Sequence, residues 1–361
     1  MRNKREVEFY KSIGVEDSLW LHMEISYGCN IRCPMCTFHD EHVSPQVMSF
    51  NSLGSIHDGW ELFSSVHIGD GSEPLINPEW DKIVSHIANH GPKVSIQTNA
   101  KKIRTLEYAL RVVDSGLNLL SISVDGFTDG TMKKIRDGIG FSDIEKAIEL
   151  VNKAKKIRGS RTPHLAANVV AMRSNLSELH DLVRFLSGSG FCRIRIGFLE
   201  LRKPDNDLLN ELLIYEKERA RFIIKQLNDE LSDATVYLDT ELFDDRDAQI
   251  KSKCELYKER IYVRQDGEMF ACYGKRRIAN MFQDGLESAI YSEDYKQFEA
   301  AVKVPGNDIC ASCTFCRNKS LDEVGDHFSA TAIKHYTDDK IKRSVDYAIS
   351  KGGIGDYWSD V

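Results

Sequence analysis

LWLHMEISYGCNIRCPMCTF, residues 19–38, runs from an apolar strand-like stretch straight into a loop that carries Cys29, Cys33 and Cys36. Three and then two residues separate these cysteines, so their thiolates can converge on one centre from a compact loop. Two chemistries fit that spacing. One is a structural zinc site closed by His39 as fourth ligand. The other is an iron–sulfur cluster held by three cysteines, with one iron left open to a substrate or cofactor. Spacing alone does not separate them; the place of the loop in the fold does.

Working outward, SVHIG (65–69), KVSIQT (93–98), NLLSISVD (118–125), LAANVVAM (165–172) and CRIRIGFLE (192–200) also read as strands. They are short, nearly continuous and rich in Ile and Val, as strands covered on both faces are. Helical patterns fill the gaps. Phe50, Leu53, Ile56, Trp60 and Phe63 predict one helical stripe, and Leu176, Leu179, Leu182, Val183 and Leu186 another. Ser142-Asp-Ile-Glu145 has the capping-box pattern, followed by Ile144, Ala147, Ile148 and Val151 on one face. This alternation implies βα units and a parallel α/β sheet, open or curled. Ligands of such sheets bind beyond the carboxyl ends of the strands, which is where the cysteine loop lies. Position therefore favours the open cluster over the zinc staple.

The rhythm changes after a helical stretch at 207–231. A short strand near Thr235–Asp239 follows, and then ERIYVRQDGEMFACYG reads as a hairpin turning at Gln265-Asp266-Gly267. The expected division is 1–230 for the first domain, 231–320 for a smaller one, and a helical tail over 321–361 with Ile341, Val345, Ala348 and Ile349 on one face.

Composition bounds the function. The 361 residues are 42% hydrophobic and 29% charged, which excludes a disordered chain. With 48 basic against 55 acidic residues the net charge is -7, the wrong sign for a dedicated nucleic-acid binder. No apolar run approaches the ~18 residues of a membrane span. The opening MRNKREVEFYKSIG lacks the apolar core of a signal peptide, so a cytoplasmic protein is expected, without membrane or nucleic-acid partners. In that reducing setting the 9 cysteines read as metal ligands or catalytic groups, not disulfides.

CNIRCPMC, 29–36, resembles the signature of the radical S-adenosylmethionine (radical SAM) enzymes. IGDGSEPLINPEW (68–80) is similar to the glycine-rich second-strand motif of that family, SISVDG (121–126) to its fourth-strand motif, and KKIRDG (133–138) to the arginine-bearing turn after it. The likeness spans about residues 19–316. Ser72 stands where the family's second glycine is usual, and Ala100 follows Asn99 where glycine is common. The resemblance implies a partial (β/α)6 barrel with parallel strands. In it Cys29, Cys33 and Cys36 hold a [4Fe-4S] cluster whose open iron is chelated by S-adenosylmethionine. The sulfonium is cleaved reductively, giving a 5′-deoxyadenosyl radical that takes hydrogen from carbon. On the family pattern Gly71, Ser72 and Glu73 meet the methionine amine, Arg136 pairs its carboxylate, and Ser123 meets ribose or carboxylate; Asn99 and Asp125 complete the cofactor-binding set. The bland alternative for Arg136 is a surface arginine in a basic turn.

Cys254, Cys272, Cys310 and Cys313 resemble the ligand set of a twitch-type extension, a shortened SPASM domain built on a hairpin and a helix, and imply one auxiliary [4Fe-4S] cluster. A zinc knuckle is the alternative for four thiolates. Cys192 and Cys316 are then left over; Cys192 reads as a buried small hydrophobe. Cys316 reads as a substitute ligand for Cys313 or a free thiol, a possible hydrogen donor to the substrate. An auxiliary cluster that accepts an electron implies a dehydrogenase, whereas a donating thiol implies an epimerase, and the sequence permits both.

The lead expectation is a radical SAM oxidoreductase that oxidises an alcohol of a small natural-product or carbohydrate-like substrate, fed by an electron donor such as flavodoxin or ferredoxin. The 28 residues before Cys29 are too few for a winged peptide-binding module, which favours the small substrate. A peptide-modifying enzyme is the alternative, and a non-catalytic zinc-binding protein the alternative of another class. Among other residues, His39 and His42 read as cavity or loop residues and His67 as packed. The Lys153–Arg161 run reads as a solvated helix end, and Trp60, Trp80 and Phe315 as core.

Overall fold

Each of the six predicted strands of the first domain forms, in the predicted order. The computed structural model of the chain describes residues 4–15, 19–36, 44–69, 71–199, 208, 210–231, 236–240, 260–271 and 276–304. Its strands are β1 (Trp20–Met23), β2 (Ser26–Tyr27), β3 (Gln46–Val47), β4 (Ser65–Ile68), β5 (Lys93–Thr98) and β6 (Leu119–Ser123). Then follow β7 (His164–Ala171), β8 (Phe191–Phe198), β9 (Tyr237–Thr240), β10 (Arg260–Val263), β11 (Glu268–Ala271) and β12 (Arg276–Asn280). The helices are α1 (Lys4–Ser12), α2 (Phe50–Leu53), α3 (Trp80–Asn89), α4 (Leu106–Asp114) and α5 (Asp129–Ile135). They continue with α6 (Phe141–Arg158), α7 (Leu179–Gly188), α8 (Lys217–Glu230), α9 (Met281–Tyr291) and α10 (Glu293–Val302).

Ten strands form one sheet in the order β12-β11-β10-β1-β4-β5-β6-β7-β8-β9, and β2 pairs with β3 beside it. All neighbours from β10 through β1 to β9 are parallel. The parallel sheet thus extends one strand past the predicted set on either side. The predicted hairpin forms as β10 and β11, antiparallel, and its first strand lies beside β1. Gly267 makes its turn with φ 82°, a conformation that costs glycine nothing.

The two faces of the sheet differ in character. One face presents Leu21, Val66, Ile68, Ile96, Leu120 and Ile122, all fully buried. Against it pack Ile83 and Ile87 of α3, Ala109 and Val112 of α4, and Ile144 and Val151 of α6. Each Val, Leu or Ile among them contributes about 1.5–3 kcal/mol by leaving water. The other face carries His22, His67, Ser95, Gln97, Ser121 and Asn168, and α1 covers one end of it. Tyr10 of α1 meets Trp20 of β1 at 4.7 Å between ring centroids, while its neighbour Phe9 meets Tyr237 of β9 at 5.6 Å. In a flat sheet those two strands would stand about 29 Å apart, at ~4.8 Å per step. Consecutive residues of one helix touch both, so the sheet is curled around α1 into a partial barrel.

Two local expectations are corrected. Residues 50–63 do not form one helix: α2 ends at Leu53, and a 3-10 turn takes Trp60–Leu62. Gly59, at φ 85°, breaks the helix between them, although Leu53, Trp60 and Phe63 still reach the core. The α6 cap also lies earlier than Ser142. Asp143 accepts the Gly140 N–H at 3.0 Å, and the Ser142 N–H goes instead to Asp129 at 2.8 Å. Trp60 and Trp80 are core as expected, at 0% and 1% exposure. No helix among the described residues is long and apolar enough to cross a membrane. The predicted tail over 321–361 lies outside the described residues.

Candidate functional site

The loops after β1, β4, β5 and β6 meet at the carboxyl end of the barrel, with the cysteine loop at their centre. That loop is bound on both sides. The Arg32 N–H donates to the Asp137 carbonyl at 3.0 Å, and the Arg32 guanidinium to the Cys29 carbonyl at 3.1 Å. Lys101 Nζ donates to the Asn30 carbonyl at 3.1 Å. Gly138 closes the contact: at φ 101°, a Cβ there would lie 3.3 Å from Ile31. The KKIRDG turn is therefore seated directly on the cysteine loop.

Cys33 is buried, and Cys29 and Cys36 are half-buried. The Cys36 N–H donates to the Cys33 carbonyl at 3.0 Å, turning the chain back between those two ligand positions. Two cationic or amide donors reach the sulfurs: Arg136 approaches Cys33 Sγ at 3.9 Å and Asn99 Nδ2 approaches Cys29 Sγ at 3.6 Å. Burial pushes the Cys33 thiol up to about 12, against the pull of Arg136 and with the push of Asp125, Cys36 and Cys29. Burial also raises Cys29, with Glu73 and Cys36 adding to it. Loading a metal centre here displaces protons from these thiols. Three cysteines on one loop, with donors against two of their sulfurs, suit a thiolate-held cluster.

The glycine-rich loop is organised by a residue the motif reading missed. Glu24, one position past β1, accepts the Gly71 N–H at 2.6 Å and a hydrogen bond from the Ser72 hydroxyl. A signal was present: Trp20, His22 and Glu24 alternate along one face of the strand. Ser72 also sits 3.2 Å from the Ser26 hydroxyl, so the serine that replaces the family's glycine is wired into the loop. Glu73 turns inward. Its carboxylate accepts Thr98 Oγ1 at 2.6 Å, the Asn99 N–H at 2.8 Å and the Leu75 N–H at 3.1 Å. Burial pushes this carboxyl up, and those three donors pull it back. The side chain therefore ties the β4 loop to the end of β5; any part of Glu73 offered to a ligand is backbone.

Asn99 bridges the same pieces, donating to Asn30 Oδ1 at 2.8 Å and accepting the Lys101 N–H at 2.9 Å. Ala100 next to it is left-handed, φ 59°, where glycine would rest without strain. Asp125 is fully buried: its carboxylate accepts Arg136 Nε at 2.6 Å and the Val170 N–H at 2.7 Å. Arg136 is thus no surface arginine. Its side chain is 13% exposed and spans from Asp125 to the Cys33 sulfur. Ser123 is buried at the end of β6, beside Asn168 of β7 in register.

Below this rim the polar face of the barrel is itself hydrogen-bonded. Asn168 donates to Gln97 at 2.8 Å and to Ser121 at 2.9 Å, across β5, β6 and β7. His67 is half-buried, not packed away in the core: Nδ1 shares a 2.8 Å hydrogen bond with Ser95, and its ring lies 5.2 Å from that of His22. His22 in turn lies 5.0 Å from Tyr262 of β10, so the extension contributes to the same wall. At the opposite end Arg193 donates to Tyr10 at 2.9 Å, and α1 closes the barrel there. Cys192 is half-buried near that end, its thiol directed at the Leu165 carbonyl at 3.2 Å. Cys254, Cys272, Cys310, Cys313, Cys316, His39, His42 and Phe315 lie outside the described residues.

The chain is similar to known proteins in sequence and in fold. Residues 23–186 match the radical SAM superfamily, and residues 254–314 match the SPASM iron-sulfur cluster-binding domain. The chain is 23% identical over 339 residues to the tungsten-containing aldehyde ferredoxin oxidoreductase cofactor-modifying protein of Pyrococcus furiosus, covering 87% of this chain and 90% of that one. To mycofactocin maturase MftC of Mycobacterium ulcerans it is 25% identical over 200 residues, 55% of this chain and 52% of the maturase, so it spans about half the length of that relative. In fold it is similar to Streptococcus suis SuiB bound to S-adenosylmethionine, with a TM-score of 0.62, 14% identity and coverage of 89% and 77%. It is likewise similar to native anSMEcpe with bound AdoMet, with a TM-score of 0.63, 18% identity and coverage of 92% and 98%.

Proposed function

The chain belongs to the radical SAM superfamily and carries a SPASM iron–sulfur extension, and on that premise we propose an oxidoreductase whose substrate presents a hydroxyl-bearing carbon to the polar barrel interior. A [4Fe-4S] cluster with S-adenosylmethionine belongs to the first domain and auxiliary iron–sulfur to the second. When bound, these groups supply a 5′-deoxyadenosyl radical that removes hydrogen from carbon and an acceptor for a further electron.

The chain's own residues do the rest. Cys29, Cys33 and Cys36 are the ligands of the first cluster in this reading, and Cys254, Cys272, Cys310 and Cys313 those of one auxiliary cluster, with Cys316 spare. Arg136 and Asn99 place positive charge and an amide donor against two of the first three sulfurs, which stabilises thiolate over thiol. Glu24 holds the Gly71–Ser72 loop and puts a carboxylate where an ammonium is to be received. Asp125 holds Arg136 in place.

The observation that carries the reading is the hydrogen-bonded wall of His67, Ser95, Gln97, Ser121 and Asn168 on the face closed below by α1. These amides and this imidazole hold hydrogen-bonding capacity beyond their bonds to one another, which a substrate with hydroxyl or amide groups uses and an apolar one does not. A small polar molecule fits this description, with flavodoxin or ferredoxin as electron donor and the cytoplasm as the compartment. A second reading, modification of a peptide side chain, draws support from the likeness to a mycofactocin maturase.

An anaerobic assay tests the first reading. Reconstituted protein is expected to form 5′-deoxyadenosine, and replacing Cys29, Cys33 and Cys36 together by alanine to abolish it. Product carrying a carbonyl, without deuterium from heavy water at the reacting carbon, supports the dehydrogenase. Deuterium uptake there with retained oxidation state points to an epimerase and overturns it.

A further inference from the structure

His57, His86 and His90 lie outside the site described above, on the outer surface of the barrel. His86 is in the last turn of α3 and His90 just past it, four residues on and therefore on the same helical face; His57 comes from the segment after α2. One ring nitrogen from each lies within 4.8 Å of the other two, with His57 exposed and the others half-buried. Because α3 runs back from the carboxyl end of β4, its last turn stands at the opposite edge of the sheet from the cysteine loop.

The hydrogen bonds of two rings fix their tautomers. His86 Nε2 is 2.8 Å from the Ile56 carbonyl, and His90 Nδ1 is 2.7 Å from the His86 carbonyl. A carbonyl oxygen only accepts, so each of those nitrogens carries its proton. The lone pairs are thereby assigned to His86 Nδ1 and His90 Nε2, neutral imidazole being the form that binds metal. An imidazole that donates its other N–H to a carbonyl is the usual support of a metal ligand. The His86 ring is also held edge-on between Trp60 at 6.1 Å and Phe50 at 6.2 Å, so its orientation is built in.

We propose that His57, His86 and His90 form a binding site for one divalent transition-metal ion of the zinc class. Three neutral imidazoles suit zinc, nickel or copper in preference to magnesium or calcium, which take oxygen ligands. A water molecule completes the tetrahedron on the solvent side. The ion cross-links the segment after α2 to the end of α3. Two residues on, Gly59 is pressed against the extension: a Cβ there would lie 2.9 Å from Leu286 and 3.2 Å from the Glu287 nitrogen, both in α9. Metal at the histidines therefore stiffens the seat on which the extension rests.

The test uses the full-length protein with its clusters intact, Zn2+ as probe, and iron and zinc counted together after anaerobic gel filtration. The expected result is one zinc per chain bound at micromolar or lower concentration with no loss of iron. A rise of a few degrees in the thermal midpoint should accompany it, as about hundredfold saturation of a native-state site gives. His57→Gln, an exposed change that leaves the core untouched, should weaken zinc binding at least tenfold and cancel that rise, as should His90→Gln. Equal zinc binding by the wild type and His57→Gln overturns the proposal. Zinc uptake matched by iron loss assigns the ion to the thiols and overturns it, as does no uptake at 100-fold higher zinc.

Discussion

Arg136 Nε donates to the fully buried Asp125 carboxylate at 2.6 Å while the same guanidinium faces the Cys33 sulfur at 3.9 Å. One arginine thus neutralises a carboxylate and pulls on a ligand thiol. Removing either partner leaves a buried charge alone, which costs about 3–5 kcal/mol. Asp125→Ala is expected to lower the unfolding free energy by about 3 kcal/mol. Arg136→Lys keeps the charge but loses the fork, so reconstituted iron should fall further than stability does. Denaturant melts and iron analysis of the two variants check this, and an Arg136→Lys variant with wild-type iron would contradict it.

Asp81 and Arg111 form an arginine fork, two bonds of 2.9 Å, on the outer helices α3 and α4. Partial burial lifts the Asp81 carboxyl, but the guanidinium more than offsets it and the group lies below its usual value of 3.8. A carboxyl depressed in the folded state adds stability above its unfolded value, and loses it as the pH falls through the folded one. Asp81→Asn should therefore cost about 1 kcal/mol at pH 7, a modest figure for a partly exposed pair. The gap between the two proteins in thermal melts should close below pH about 4. A gap that stays the same in acid would assign the cost to packing.

Much of this was legible because the strands are covered by helices. Apolar runs such as Lys93–Thr98 and Leu119–Ser123 had to be strands, and the cysteine loop after Met23 had to lie at their carboxyl end. What escaped was contact between distant segments. Glu24 looked like strand punctuation until the Gly71 loop folded over it, 47 residues on. Pairing of β10 with β1 joins residues 240 apart in register, Trp20 with Arg260, and no local pattern encodes that. The stripe from Phe50 to Phe63 misled for the reverse reason. Its apolar residues all point inward, but Gly59 at φ 85° folds the chain there without a continuous helix. Glu73 was recognised by its motif, yet its three internal donors come from the ends of other elements.

Ala100 holds φ 59° beside Asn99, whose amide touches the Cys29 sulfur at 3.6 Å. An alanine there stores about 1–2 kcal/mol of backbone strain. Ala100→Gly relieves it but frees the unfolded chain by about 0.5–1 kcal/mol, so stability should change little or rise slightly. Ala100→Val adds β-branching in a region such residues avoid and is expected to destabilise by more than about 2 kcal/mol. Iron content should fall in the valine variant as Asn99 shifts, and stay level in the glycine variant. Chemical denaturation with iron analysis reads both, and a valine variant as stable as the wild type would remove strain from the account.

Glu24 accepts from the Gly71 N–H and the Ser72 hydroxyl, so two donors of the glycine-rich loop are held by one charged side chain. Charge-assisted bonds of this kind are about twice as strong as neutral ones, and here they fix where the loop backbone stands. Glu24→Gln keeps the volume and one accepting oxygen but removes the charge and turns an amide donor toward one of two donors. S-adenosylmethionine affinity, measured by equilibrium dialysis on cluster-loaded protein, is expected to fall about tenfold, or about 1.4 kcal/mol. Iron content should not move, because no cysteine is disturbed. Ser72→Gly removes one of the two bonds and leaves the carboxylate in place, so its loss should be smaller than that of Glu24→Gln. If both variants bind as the wild type does, the carboxylate only props the loop and has no part in receiving the ligand.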